Sequence, residues 1–116
     1  MNLKPSPTHI SRSGGCTLTG ALSVTTQVLN ATSIVHGPKG CAHHNFSLFH
    51  ATMLDNEQAA LPDIVSSALD ESDIVFGGED ALACTLRSVC ERDISTVFVL
   101  STCIVATIGD DVEAVC

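Results

Sequence analysis

The sequence predicts an α/β protein in which helices flank a three-stranded parallel sheet. Three short apolar runs, at 33–36, 74–76 and 96–100, have the length and residue types of strands. Helical patterns separate these runs, and strands that are joined through helices must be parallel. Right-handed crossovers then give a Rossmann-like layer, whose ligands gather at the carboxyl ends of the strands.

The composition limits what the chain can bind. Its 116 residues are enough for one domain with a modest core. Five basic and 13 acidic residues give a net charge of −8, which argues against nucleic acid or an anionic membrane as a partner. The first residues lack the apolar run of a signal peptide, and no stretch approaches the roughly 18 apolar residues of a membrane helix. We therefore expect a cytoplasmic protein.

The first helix is expected to begin at Cys16. Residues 1–13 are polar and irregular, which predicts a flexible N-terminal arm, and the folded domain is expected over 14–116. After Cys16, apolar residues recur at helical spacing as far as Asn30. These residues are Leu18, Ala21, Leu22, Val28 and Leu29.

The segment 33–41, SIVHGPKGC, joins a strand to the second helix. Gly37, Pro38 and Gly40 build a tight turn, and Cys41 stands where the helix would begin. The helix dipole and the unpaired backbone N–H groups at that position favour the thiolate, which is the form of cysteine that binds metal. We therefore interpret Cys41 as a metal ligand.

The second helix is predicted to be amphipathic and to end before Pro62. Its apolar stripe comprises Ala42, Phe46, Phe49 and Met53, and its polar face comprises His43, His44, Asn45 and Ser47. Residues 64–69 are predicted to form a further helical turn.

The segment SDIVFGGED repeats the pattern of a strand followed by a turn. The strand is expected at 74–76, the turn at Gly77 and Gly78, and the next helix opens with Glu79 and Asp80, which suit the positive end of its dipole. The buried stripe of that helix is predicted to comprise Leu82, Leu86, Val89 and Cys90. After the third strand, Gly109, Asp110 and Asp111 mark another helix start, and we assign the two aspartates no catalytic role.

Six cysteines in so short a chain could form disulfides or bind metal. The missing signal peptide and the regular helix and strand patterns favour metal or redox groups. The chain has no CxxC pair, which weakens a zinc ribbon but leaves open a site built from distant positions. Cys16, Cys41 and Cys103 fall at turns or helix starts and are the predicted ligands. Cys84 and Cys116 are interpreted as incidental.

Three segments resemble signatures of the nitrogenase component 1 family, which includes the molybdenum-iron protein and its relatives. They are IVHGPKGC, DIVFGGEDAL and STCIVATIGDDVEAV, and they occur in that order. The order and spacing of Cys16, Cys41 and Cys103 also resemble those of the alpha-type subunit. Lys39 and Ile104 depart from the residues more usual in the family, whose members are several times longer. The resemblance implies the N-terminal part of such a subunit.

The resemblance implies an iron-sulfur cluster, either P-cluster-like or four-iron four-sulfur, held by Cys16, Cys41 and Cys103 and shared with a partner chain. Gly37 and Gly40 would allow the backbone to approach it closely. The implied partners are a second component 1-type subunit, in a homo- or heterodimer, and an ATP-dependent iron-sulfur reductase. This oxidoreductase subunit would accept electrons from the reductase and relay them to a substrate site outside the segment.

Three other functions stay open at this point. Within the family, the chain could belong to a scaffold for nitrogenase cofactor assembly or to a tetrapyrrole reductase. Outside catalysis, it could be a truncated remnant or binding module without a cluster. The 116-residue chain alone is not expected to be active, because the positions that hold the family's substrate-reducing site lie elsewhere.

Overall fold

The computed structural model describes residues 16–57 and 61–116, so the predicted arm at 1–13 lies outside the described residues. The elements are α1 (Thr17–Thr25), β1 (Ala31–His36), α2 (Lys39–Asp55), β2 (Ile64–Ser66), α3 (Glu71–Phe76), α4 (Glu79–Cys90), β3 (Thr96–Ser101), α5 (Cys103–Ile108) and α6 (Val112–Val115). Within these ranges, no helix combines the length and apolar character that a membrane crossing requires.

The three strands form one parallel sheet in the order β2-β1-β3, which confirms the predicted fold class. Ser33 lies opposite Ile64 on one side of β1, and Ala31 lies opposite Thr96 on the other. The first strand in the chain is therefore the central one, and five of its six residues are buried. This burial is typical of a central parallel strand that is covered on both faces.

Apolar clusters cover both faces of the sheet. Successive side chains of a strand point to opposite faces, so Val35 joins one cluster and Ile34 the other. The first cluster also contains Leu18, Leu22 and Ala42, from α1 and α2. The second contains Leu82 and Val89 of α4, with Val112 and Val115 of α6 packed against it. The domain is thus a three-layer arrangement of helices, sheet and helices.

The second strand lies at Ile64–Ser66, so its predicted position at 74–76 was wrong, as was the helical turn predicted for 64–69. Residues 74–76 end helix α3 instead. Asp70 and Asp73 form a reciprocal capping box that satisfies two backbone N–H groups and starts this helix. The D-x-x-D spacing was a sequence signal that could have identified the helix, but it was overlooked.

Two predicted apolar stripes extend further than the structure allows. Helix α1 ends at Thr25, and Leu29 is 90% exposed, so the stripe predicted as far as Asn30 was too long. Cys90 was predicted in the buried stripe of α4, but it is exposed. It is the last residue of the helix and directly follows the buried Val89. All six cysteines, each within the described residues, are free.

The fully buried His36 side chain links three segments. Its Nδ1 lies 2.8 Å from Ser67 Oγ, and its Nε2 lies 2.9 Å from Asp110 Oδ2. Ser67 Oγ accepts the Gly37 N–H, and Asp110 also accepts the Gly78 N–H at 3.0 Å. Asp110 is therefore a buried tertiary link, not the helix-start charge that was predicted.

Asp111 takes the helix-start position that the sequence predicted. It is the N-cap of α6, and its carboxylate accepts the Ala114 N–H at 3.1 Å. The two neighbouring aspartates thus differ in function, since one caps a helix and the other binds the central strand.

Candidate metal centre

Cys16, Cys41 and Cys103 line one open depression of about 370 Å³. Cys41 follows β1 and Cys103 follows β3, so the depression lies at the carboxyl ends of the parallel strands, where ligands of such sheets gather. Its other lining residues are Thr17, Leu18, Ala21, Leu100, Ser101, Thr102 and Ala106. The structure therefore brings together the three cysteines that were predicted as ligands.

Each of these cysteines lies at the start of a helix. Cys16 is the N-cap of α1, and Cys103 is the first residue of α5. Cys41 is the third residue of α2, after the N-cap Pro38, so it lies slightly inside the helix that it was predicted to open. Cys16 and Cys103 are exposed, and Cys41 is half-buried.

A chain of polar contacts connects Cys16 to Cys41. Cys16 Sγ lies 3.6 Å from Thr19 Oγ1, which donates to Asn45 Oδ1 at 2.7 Å. Asn45 Nδ2 in turn donates to the Cys41 carbonyl at 2.7 Å. Asn45 is only 2% exposed, so its predicted place on the polar face of α2 was wrong. Its position four residues after Cys41, beside the apolar stripe, was the available signal.

A close contact between Gly37 and Thr102 sets the position of Cys103 relative to the 33–41 turn. A Cβ atom at Gly37 would lie 2.4 Å from Thr102 Cγ2, so only glycine fits there. The Thr102 N–H also donates to the His36 carbonyl at 3.2 Å. At Gly40 a Cβ atom would meet nothing within 4 Å in the described residues. The roles predicted for the two glycines beside a cofactor stay predictions.

The three thiols do not share one electrostatic environment. Hydrogen bonding to the Thr19 backbone N–H, and then the contact with the Thr19 side chain, lower the pKa of the Cys16 thiol. Burial, followed by repulsion from the Cys103 and Cys16 thiolates, raises the pKa of the Cys41 thiol. The expectation that its helix position would favour the Cys41 thiolate was therefore wrong for the chain alone. Burial, with repulsion from the neighbouring thiolates, disfavours the charged form of Cys41.

These opposite shifts predict that Cys16 becomes reactive at lower pH than Cys41. Alkylation requires the thiolate, so a lowered pKa moves the reactivity profile to lower pH and a raised pKa moves it higher. We expect iodoacetamide labelling of iron-free protein, followed by peptide mass spectrometry across pH 6–10, to give a lower midpoint for Cys16. A lower midpoint for Cys41 would contradict the assigned contacts.

The three thiols share a depression without converging on one point. Across 16–57 and 61–116, no three His, Cys, Asp or Glu side chains are grouped closely enough to hold a single metal ion. The apolar residues Leu18, Leu100 and Ala106 line the same depression. The open side of the depression leaves room for further ligands.

The model of the family described as nitrogenase component 1 type oxidoreductase matches residues 16–116. The chain therefore belongs to the nitrogenase component 1 family, as its three signature segments predicted.

Curated relatives cover most of the described chain. The nitrogenase iron-molybdenum cofactor biosynthesis protein NifE of Clostridium pasteurianum is 37% identical over 102 residues, which are 87% of this chain and 22% of that protein. The nitrogenase molybdenum-iron protein alpha chain of Methanothermobacter marburgensis is 33% identical over 113 residues, which are 87% of this chain and 24% of that one. The chain thus spans less than a quarter of the length of either relative.

Solved structures agree with the fold. The structure titled "Nitrogenase Cp1 at pH 6.5" matches 99% of this chain and 23% of its own, with a TM-score of 0.79 at 19% identity. The structure titled "Nitrogenase Cp1 at pH 5" matches 89% of this chain and 22% of its own, with a TM-score of 0.70 at 28% identity. The described residues correspond to one part of a larger fold.

Proposed function

We propose that this chain is the cluster-binding segment of a nitrogenase component 1-type subunit. Cys16, Cys41 and Cys103 would hold an iron-sulfur cluster that a second component 1-type subunit shares. The observation that carries this proposal is that three thiols from three separate helix starts line one depression at the carboxyl edge of the sheet.

The chemistry of the donor set fits such a group. Cysteine thiolates are the usual ligands of iron-sulfur clusters. Burial, and then repulsion from the other two thiolates, raises the pKa of Cys41, and bound iron would offset both because each thiolate would then face a cation. Thiols that share a depression without converging suit several iron atoms better than one ion. When bound, an iron-sulfur cluster supplies one-electron transfer.

The residues of this chain would orient the ligands and limit water around them. The contacts from Cys16 through Thr19 and Asn45 fix α1 against α2, and thereby two of the three thiols. Leu18 and Leu100 give the depression an apolar floor, which lowers the local dielectric and strengthens hydrogen bonds to sulfur. The exposure of Cys16 and Cys103 leaves the outer side open to the second subunit.

Within the family, we favour a role in cofactor assembly. Relatives named as iron-molybdenum cofactor biosynthesis proteins come from several organisms at 33–37% identity, and the alpha chain of the molybdenum-iron protein is 33% identical. The identity to the alpha chain supports the second candidate, an electron relay supplied by an ATP-dependent iron-sulfur reductase. The same three thiolates serve both functions.

The test of cluster binding is the iron and acid-labile sulfide content of protein that is produced anaerobically together with its neighbouring component 1-type gene product. We expect both elements in the wild type and loss of most of both in Cys41→Ala. Cys90→Ala is the matched control, because Cys90 is exposed and lines a different depression. Full iron in Cys41→Ala, or no iron in the wild type, would refute the proposal.

A second measurement separates the two roles. A scaffold complex should transfer a molybdenum-containing cofactor to cofactor-free molybdenum-iron protein and produce no ammonia from dinitrogen. An electron relay should produce ammonia in repeated turnovers when reductase and ATP are supplied. Ammonia formation without cofactor transfer would overturn the assembly role and leave cluster binding intact.

A further inference from the structure

The Thr102 side chain carries a buried hydroxyl that has no partner. Thr102 is 4% exposed, and among the described residues its Oγ1 is the one buried side-chain oxygen or nitrogen that makes no hydrogen bond. Burying a hydroxyl in this state is unfavourable, and native proteins contain few such groups. The position therefore requires an explanation.

The Thr102 side chain also lacks the capping hydrogen bond that is usual at a helix N-cap. It is the N-cap of α5, where a threonine oxygen normally accepts a backbone N–H from the first turn. Within the part of the chain that the structure describes, its side chain makes no such bond. The hydroxyl instead packs against the 33–41 turn, where a Cβ atom at Gly37 would lie 2.5 Å from it.

The location of Thr102 indicates which partner the hydroxyl lacks. Thr102 directly precedes Cys103 and lines the depression that contains all three thiols. Thiolate and sulfide sulfurs accept hydrogen bonds and donate none once they bind metal. A hydroxyl is a donor, and a turn about its Cα–Cβ bond moves it between staggered positions.

We propose that the Thr102 hydroxyl donates a hydrogen bond to a sulfur in this depression when the metal group is bound. This hydrogen bond would raise the reduction potential of the metal group. This inference rests on the proposed cluster site. The sulfur belongs either to a cysteine ligand or to the bound group. Hydrogen bonds to such sulfurs stabilise the more negative, reduced state, so their loss lowers the potential. Thr102 is thus a positioning and tuning residue.

The test compares Thr102→Val with Thr102→Ser, each produced anaerobically with the partner subunit. Valine keeps the shape of threonine without the hydroxyl, whereas serine keeps the hydroxyl. Iron per chain reports on the cluster site itself, and a redox titration followed by electron paramagnetic resonance reports on the hydrogen bond. The thermal midpoint of iron-free protein is the third measurement.

We expect full iron in both variants, a more negative midpoint potential in Thr102→Val, and a potential close to that of the wild type in Thr102→Ser. In iron-free protein, Thr102→Val should melt at the same temperature as the wild type or higher, because an unpartnered hydroxyl has been removed.

Two outcomes would overturn the Thr102 inference and leave the cluster site standing. The first is an unchanged midpoint potential in iron-loaded Thr102→Val. The second is a lower melting temperature of iron-free Thr102→Val, since that would indicate that the hydroxyl already has a hydrogen-bond partner. Absence of iron from the wild type would overturn the cluster site as well, so the two failures are distinguishable.

Discussion

Gly37→Ala should destabilise the iron-free protein by about 3 kcal/mol, the upper part of the range for overpacked sites. The new methyl carbon would lie 2.4, 2.5 and 2.9 Å from the Cγ2, Oγ1 and Cβ atoms of Thr102. Thr102 is buried, so its side chain cannot move outward without shifting the start of α5. The effect is steric, because Gly37 lacks the positive φ that Gly77 and Gly109 have among the described glycines.

Gly40→Ala is the matched control for this substitution. Gly40 lies in helix α2, and a Cβ atom there meets nothing within 4 Å in the described residues. Alanine is more favourable than glycine inside a helix by about 0.5–1 kcal/mol, so the variant should be as stable as the wild type or slightly more so. Urea unfolding curves measure both changes. Equal midpoints for the two variants would refute the close contact at Gly37.

The second large effect is expected for Asp110→Ala, at about 3 kcal/mol, the upper part of the range for leaving a buried donor without its acceptor. The substitution leaves the Nε2 atom of fully buried His36 and the Gly78 N–H without their acceptor. It also detaches the segment between α5 and α6 from the central strand. Urea unfolding of the iron-free chain measures the loss.

Arg92→Ala provides the control for removal of an ion pair. Arg92 Nη2 lies 3.0 Å from Asp63 Oδ2, but the side chain of Arg92 is 46% exposed and that of Asp63 is 37% exposed. Solvent-exposed pairs contribute less than about 1 kcal/mol, so this variant should unfold near the wild-type midpoint. A loss for Asp110→Ala as small as that for Arg92→Ala would mean that the His36 contact contributes little.

The sequence predicted the strands correctly where a local residue pattern marks them. The central strand and β3 were recognised because each is a continuous run of strand-forming residues next to a turn. The second strand was missed because Ile64–Ser66 has only three residues, and its pairing with β1 is not encoded locally. Residues 74–76 were mistaken for a strand because apolar content was weighed above the capping signal at Asp70.

The grouping of the three cysteines was predictable from the sequence, but the contacts that orient them were not. A cysteine after a strand or a glycine turn is visible in the sequence, and the three thiols do line one depression. The contact of Thr19 with Asn45 spans 26 residues, and that of His36 with Asp110 spans 74. Hydrogen-bond partners so far apart in the chain are brought together by tertiary packing, so composition and periodicity alone do not identify them.

The order β2-β1-β3 has a consequence for the newly made chain. The central strand is synthesised first, and both of its neighbours come later. Asn30 and Ser95, whose backbones meet at the start of the β1–β3 pair, are separated by 65 residues. At about 5–20 residues per second, the ribosome needs about 3–13 s to make that stretch. During that interval the strand that is most buried in the finished sheet has an open edge available to chaperones or to other nascent chains.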